Sequence, residues 1–397
     1  LKDLNDETSE EKKKEMYENF IESANLKLKP IYNWVKTYWE SYEEQRYIHL
    51  RIGYTMTGSK SMKDASILLG PSNCGKSKFL EVLTETLGPG FASVMKSDTI
   101  SEKRNPSNAN PELVMLDMKR LVVLPELKEN EKFDVQLFKM LTGDQTITSR
   151  LLHSNVMQDI RIKCKIMLSS NHEPDIDYSE TALENRTTFI PFRKVFSKNP
   201  NAEENELLAD ETIINNLKGN GEAKEDWSSL FALYAVTGAF LFYNKYQENI
   251  GSIYPESFKS VKKEVIKNKN SVAAFVECKL VVFDPQKTII QDLYQYTIKK
   301  SEVYQSYLEW FDKLPENVKK NWKKFDPNIF GKELKKLSII AHNFKSSSCY
   351  YKYIQWKDTY GSNSNTSVIV NPIFEFLQFP KQEIETMTNS REYVIEI

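Results

Sequence analysis

The residues best placed by type and spacing to do chemistry are Gly70-Pro71-Ser72-Asn73-Cys74-Gly75-Lys76-Ser77, which match G-x-x-x-x-G-K-[ST]. A short apolar run, Ile67-Leu68-Leu69, precedes the stretch. After it, Phe79, Leu80, Leu83 and Leu87 recur at helical spacing until Gly88-Pro89. A glycine-rich turn between a strand and a helix aims consecutive backbone N–H groups at one point. Lys76 adds a charge for the β/γ-phosphates, and the Ser77 hydroxyl is of the type that ligates Mg²⁺. The pattern predicts a nucleoside-triphosphate site with a place for Mg²⁺.

An acid is expected near those phosphates, at the end of an apolar strand, to organise the metal and accept a proton from the attacking water. Leu121-Val122-Val123-Leu124 ends at Pro125-Glu126, which makes Glu126 that candidate. Pro125 fills the position where many phosphate-loop motors carry a second acid. Ile166-Met167-Leu168 delivers Ser169-Ser170-Asn171, and the Asn171 amide suits the orientation of a water against the γ-phosphate. Read alone, an Asn after a strand is turn chemistry. Arg186 precedes the strand Thr187–Ile190 and is a candidate to reach a neighbouring subunit's γ-phosphate; its bland alternative is an ordinary ion pair. Between the acid and Asn171, polar and β-branched residues around a small turn predict a hairpin. Lys139, Arg150, His153 and Lys163 lie around it and offer positive charge to a nucleic-acid backbone. Taken singly, each is a solvated surface residue.

The elements that must position these groups divide the chain of 397 residues into four expected segments. Residues 1–56 read as a small helical domain in which Pro30 opens a second helix bearing Trp34 and Tyr38 on its apolar face, with nothing that suggests chemistry. Residues 57–195 alternate strand and helix around a parallel sheet, an α/β core. In such sheets ligands sit at the carboxyl ends of strands, so Glu126 and Asn171 are expected to face the loop. Residues 196–285 read as helical after an acidic, polar crossover. Residues 286–397 give helix, Lys-rich connection, helix and then runs at Tyr350–Trp356 and Ser367–Val370, the outline of a winged helix.

Composition narrows the partners. With 40% hydrophobic and 27% charged residues the chain is of globular type, and a net charge of −1 gives no general basic field. Any nucleic acid must therefore be met by local patches or a channel. Four scattered cysteines without a C-x-x-C pair argue for reduced thiols in an intracellular, cytoplasmic setting, and against a zinc site. The most apolar window, residues 228–243, is shorter than the ~20 residues that span a bilayer, so it is expected to be a buried helix without a membrane role.

The ordered set of motifs resembles superfamily 3 helicases, and more narrowly the C-terminal ATPase half of primase–helicases from poxviruses, related large DNA viruses, phages and mobile elements. The similarity begins at Gly53-Tyr54-Thr55-Met56-Thr57-Gly58 and runs through Gly70–Ser77 and Lys119–Glu126. It continues with Lys139-x-Leu141-Thr142-Gly143-Asp144 plus Arg150, then Ser170-Asn171-His172-Glu173-Pro174, and ends on Asn185-Arg186 to Pro191-Phe192. A weaker likeness reaches Val303–Trp310 and Phe330–Leu334. Two departures stand out. Asn185 occupies the place of a first arginine, which leaves the finger role to Arg186, and the Leu-Thr-Gly-Asp stretch is one glycine short.

The resemblance implies an AAA+-like core in a ring, expected to be a homo-hexamer, that hydrolyses ATP at subunit interfaces. It implies 3′→5′ movement on single-stranded DNA at a replication fork. No primase pattern is visible, so a primase domain would belong to sequence upstream of Leu1. Two other classes compete: a replication initiator whose ATPase drives assembly, and a small-molecule kinase. The absence of Arg between Gln286 and Tyr350 weakens the initiator, because Arg–guanine contacts dominate base readout. The kinase leaves Asn171 and Arg186 without a purpose.

Overall fold

The computed structural model describes residues 10–100, 111–125, 134–144, 146–149, 157–174, 176, 178, 181–201, 206–283, 296–319, 322–337, 339, 341–343 and 349–357. Glu126, Arg150, His153 and the run Ser367–Val370 lie outside them. In chain order the elements begin with α1 (Glu10–Tyr38), α2 (Tyr42–Met56), β1 (Ala65–Leu69), α3 (Lys76–Phe91), β2 (Ala92–Val94), α4 (Pro111–Val114) and β3 (Leu121–Leu124). They continue through α5 (Val135–Thr142), β4 (Thr146–Ser149), β5 (Gln158–Arg161), β6 (Lys165–Ser170), α6 (Thr181–Glu184), β7 (Thr187–Pro191), β8 (Val195–Ser197) and β9 (Glu206–Leu208). Helices α7 (Thr212–Lys218), α8 (Glu222–Asn244), α9 (Glu256–Asn268) and α10 (Ser271–Lys279) follow. The described chain closes with β10 (Leu280–Val282), β11 (Thr297–Lys299), α11 (Lys300–Asp312), α12 (Glu316–Lys319), α13 (Pro327–Lys336), β12 (Ala341–Asn343), β13 (Cys349–Lys352) and β14 (Ile354–Trp356). Two compact units result, one from residues up to 176 with 185–261, the other from 177–184 and residues after 261.

The first unit is a mixed α/β body around a five-stranded parallel sheet in the order β2-β3-β6-β1-β7. Its strands are continuous apolar runs because both faces are covered. All residues of β3, β6 and β7 are buried. The β4–β5 hairpin pairs Thr146 with Arg161 and Ser149 with Gln158, and in sequence it falls between β3 and β6. A second small pairing joins β8 and β9 in parallel, in the region expected to be a polar crossover.

Pro30 does not open a helix. It sits inside α1, a single helix of 29 residues. An interior proline loses one hydrogen bond, and here the burial of Leu28, Ile31, Tyr32, Val35 and Tyr38 on α1 outweighs that local cost. The other proline signal held. At Gly88 the backbone turns to φ 67°, ψ 171°, which breaks α3 ahead of Pro89.

Helix α8 is the buried helix expected from its apolar window, with Phe231, Tyr234, Ala235, Leu241 and Phe242 in the core. No described helix is long and apolar enough to cross a membrane. It meets α2 at Gly53 and Gly238, where a Cβ on Gly53 would lie 2.1 Å from the Gly238 carbonyl carbon. Beside that crossing the His49 ring stacks on Tyr234 at 4.1 Å. Burial lowers the His49 pKa to about 3, so the ring stays neutral. On the opposite side of α2, Arg51 binds Asp64 in a two-pronged ion pair (2.9 and 2.8 Å) and donates to Ser66 Oγ (2.9 Å), fixing α2 to the start of β1.

The second unit has its own core, in which Phe275, Tyr307, Phe311, Phe330, Leu334 and Tyr351 are buried together. A three-stranded antiparallel sheet β11-β13-β12 and the pair β10-β14 complete it.

Candidate nucleotide cleft

Strand β1 ends at Leu69, and the chain turns through Gly70–Gly75 into α3. Two conformations make that turn possible. Asn73 has φ 60° and Gly75 φ 87°, both in the left-handed region. Space is as restrictive as torsion. A Cβ on Gly75 would lie 2.6 Å from Tyr38 Cε1, and one on Gly70 2.2 Å from the Phe192 carbonyl oxygen. Only glycine fits at either position. The loop is anchored by Gly70 N donating to Ser170 O (3.3 Å) and Phe196 N donating to Asn73 O (2.9 Å). Phe79 is the residue whose amide returns to Gly75 O (2.9 Å), so the earlier amides of α3 form the open N-terminal end of a long helix.

The Lys76 ammonium donates to Gly70 O and Pro71 O (2.7 Å each) and to Cys74 Sγ (3.1 Å). Its side chain thus arches over its own loop, with the residue 5% exposed. Ser77 is exposed at the same end of the helix.

A cleft of about 720 Å³ opens from this loop. Ser72–Lys78, Pro125, Ser169 and Asn171 line one end of it, so three strand ends (β1, β3, β6) converge there. Register explains the convergence. Leu69 pairs with Ser170 and Leu124 with Leu168, so Asn171 emerges level with Gly70, where the loop begins. Ser170 Oγ donates to His172 O and accepts from His172 N (3.3 Å), which shapes the turn that carries Asn171. Glu126 follows Pro125 and lies outside the described residues.

Arg186 is not in this cleft. It precedes β7, whose first residue Thr187 pairs with Ala65, so it stands at the end of the sheet opposite the loop. There Arg186 Nη1 donates to Thr142 Oγ1 (3.0 Å) and Lys139 O (3.2 Å), closing the C-terminal end of α5. Of the four expected phosphate-backbone contacts, Lys139 and Lys163 are described. Lys139 lies half-buried in α5. The Lys163 ammonium sits 3.0 Å from Asp144, whose carboxyl is held below its usual range by the hydrogen bond from Lys163, with Arg161 adding to it.

What sequence reading missed is the opposite wall. Asn33, Trp34, Thr37 and Tyr38 of α1 line the cleft, as do residues 208–213 and Trp227. Helix α1 therefore lines the cleft, where nothing chemical was expected of it. The signal available was the i, i+3, i+4 stripe Pro30-Asn33-Trp34-Thr37, in which two polar residues border the apolar face. The described residues contain no His/Cys/Asp/Glu cluster that would hold a metal on its own.

Three comparisons with known proteins bear on this site. Residues 68–186 match the model of a family of unknown function, DUF5906, a segment that contains every motif from Gly70 to Arg186. A protein of Acanthamoeba polyphaga mimivirus named "Putative helicase L207/L206" is 26% identical over 277 residues, which are 67% of this chain. The chain spans 27% of the length of that relative. Solved structures of the apo NrS-1 C-terminal region (305–718) align over 81% of this chain and 74% of theirs, at 13% and 14% identity and TM-scores of 0.40 and 0.38.

Proposed function

We propose that this chain is an ATP-driven DNA helicase motor of the superfamily 3 type, an ATP hydrolase that works as a ring on single-stranded DNA. The observation that carries the reading is the convergence of Lys76, Ser77 and Asn171 in one cleft, at the carboxyl ends of a parallel sheet in which β6 separates the loop strand β1 from β3. The loop offers a triphosphate a helix N-terminus and a lysine. The name of the mimiviral relative supports the helicase reading over a kinase.

In this account Lys76 exchanges its loop carbonyls for the β/γ-phosphates. Ser77 and Glu126 would hold Mg²⁺, which when bound would neutralise charge on the phosphates. Glu126 also accepts the proton of the attacking water, and Asn171 orients that water. Arg186, distant from its own cleft, serves the site of the adjacent subunit. The β4–β5 hairpin, with Lys139, Arg150, His153 and Lys163 around it, carries the DNA strand. The segments 1–56, 57–195, 196–285 and 286–397 then act as collar, motor, helical extension and winged-helix-like module. Movement is 3′→5′ and assembly hexameric.

Lys76→Ala tests this directly. The variant should bind nucleotide weakly and lose ATP-dependent displacement of a strand from a forked duplex. Displacement at the parent rate would remove the motor from consideration.

A further inference from the structure

The cleft is also lined by groups that phosphate binding does not use. On α1, residues 30, 33, 34, 37 and 38 form one stripe along it. Most of this stripe is already committed. Trp34 stacks on Phe79 at 5.5 Å and 11°. Tyr38 is buried against Gly75. The Thr37 hydroxyl donates to Trp34 O (2.7 Å). Asn33 differs. It is exposed to the cleft, and its amide makes no hydrogen bond among the described residues.

Among the other lining residues Leu208, 65% exposed, Ile213 and Trp227 are apolar, and exposed Asp210, Glu211 and Thr212 stand among them. Of the two acids there, Asp210 and Glu211, Asp210 is engaged, since its Oδ1 accepts from Thr212 N at 2.8 Å. Distance also fits. Tyr38 marks the loop, and Asn33 lies five residues earlier on the helix, about 7 Å along its axis. A ribose with its α-phosphate covers a distance of that order.

We propose that Asn33 reads the base of the bound nucleotide and selects adenine. This rests on the reading of Gly70–Ser77 as a triphosphate site. A carboxamide carries one donor and one acceptor side by side. Adenine presents the complementary pair, a ring nitrogen that accepts and the N6 amino group that donates. The edge that discriminates is N7 with position 6: hypoxanthine and guanine carry acceptors at both N7 and O6, so whichever way the amide turns, its oxygen meets a like partner. The apolar wall around Trp227 and Leu208 covers the ring faces and contributes affinity without choosing between purines.

The test is calorimetric binding of ATP, ITP, GTP and inorganic tripolyphosphate to the whole chain and to Asn33→Ala and Lys76→Ala. The parent should favour ATP over ITP by about tenfold or more, the scale of one two-pronged base contact. Asn33→Ala should lose about that factor for ATP alone, so that ATP and ITP bind alike while tripolyphosphate binds as before. An unchanged ATP-to-ITP ratio in Asn33→Ala, with Lys76→Ala weakening every ligand, overturns the base-reading role and leaves the phosphate site standing. A preference for GTP that disappears in Asp210→Ala overturns it as well. Failure of the parent to bind ATP, or binding indifferent to Lys76→Ala, removes both the phosphate site and the base reader built on it.

Discussion

Lys76 and Arg186 illustrate how the same cationic chemistry is held for different purposes. Lys76 rests on two carbonyls and a sulfur of its own loop, contacts that phosphate oxygens can replace because each is a neutral acceptor. Arg186 has two acceptors at the C-terminal end of α5, on the far side of the sheet from the loop. If it completes a neighbour's site, Arg186→Ala should bind ATP and hydrolyse it about 10³-fold more slowly or worse. Mixing that variant with Glu126→Gln subunits should recover part of the hydrolysis, because some interfaces then regain both groups. No recovery at any mixing ratio would contradict action between subunits.

A third cation, Lys165, sits 1% exposed at the start of β6, with its ammonium 4.7 Å from the Tyr54 ring. Burial, and then the nearby Lys60, lowers its pKa to about 6. The unfolded chain therefore binds more protons at this group between about pH 6 and the ordinary lysine value near 10.5. Stability should rise with pH in that window, by at most about 1.4 kcal/mol per pH unit. Lys165→Met should flatten the rise in denaturant unfolding measured from pH 6 to 9. A slope identical to that of the parent would rule Lys165 out as its source.

At the scale of elements, the parallel sheet and the loop were legible because β-strand and helix signals flank a short motif with strict spacing. The runs around Leu68, Val122 and Met167 are apolar for the physical reason that parallel strands are covered on both faces. The role of α1 was not legible. Its stripe facing the cleft resembles any amphipathic helix, and only the chain's return through residues 208–213 and 227 gives Asn33 and Thr37 a facing wall. Local proline chemistry was misleading at Pro30 because long-range burial decided the issue. The α2–α8 crossing was also invisible in advance, since Gly53 and Gly238 lie far apart in sequence and their significance is mutual. Gly238→Ala would place a Cβ 2.5 Å from the His49 carbonyl oxygen. It should cost about 3 kcal/mol in denaturant unfolding. A loss within about 0.5 kcal/mol would show that the two helices can separate freely.

For the whole molecule, the central claim is that hydrolysis is coupled to DNA through assembly. Lys76, Ser77 and Asn171 line one cleft, while Arg186 stands at the other end of the sheet, so on the proposed function the cleft is one half of a hydrolysis site. A motor of this type should therefore turn over slowly as a single chain and faster when copies gather on a strand. The most direct measurement is the steady-state ATPase rate with and without single-stranded DNA, taken together with the mass of the species in solution. The account predicts a multiple of the 46.2 kDa chain mass and a rate that rises with added strand. A monomer that hydrolyses ATP at the same rate with or without DNA would contradict it.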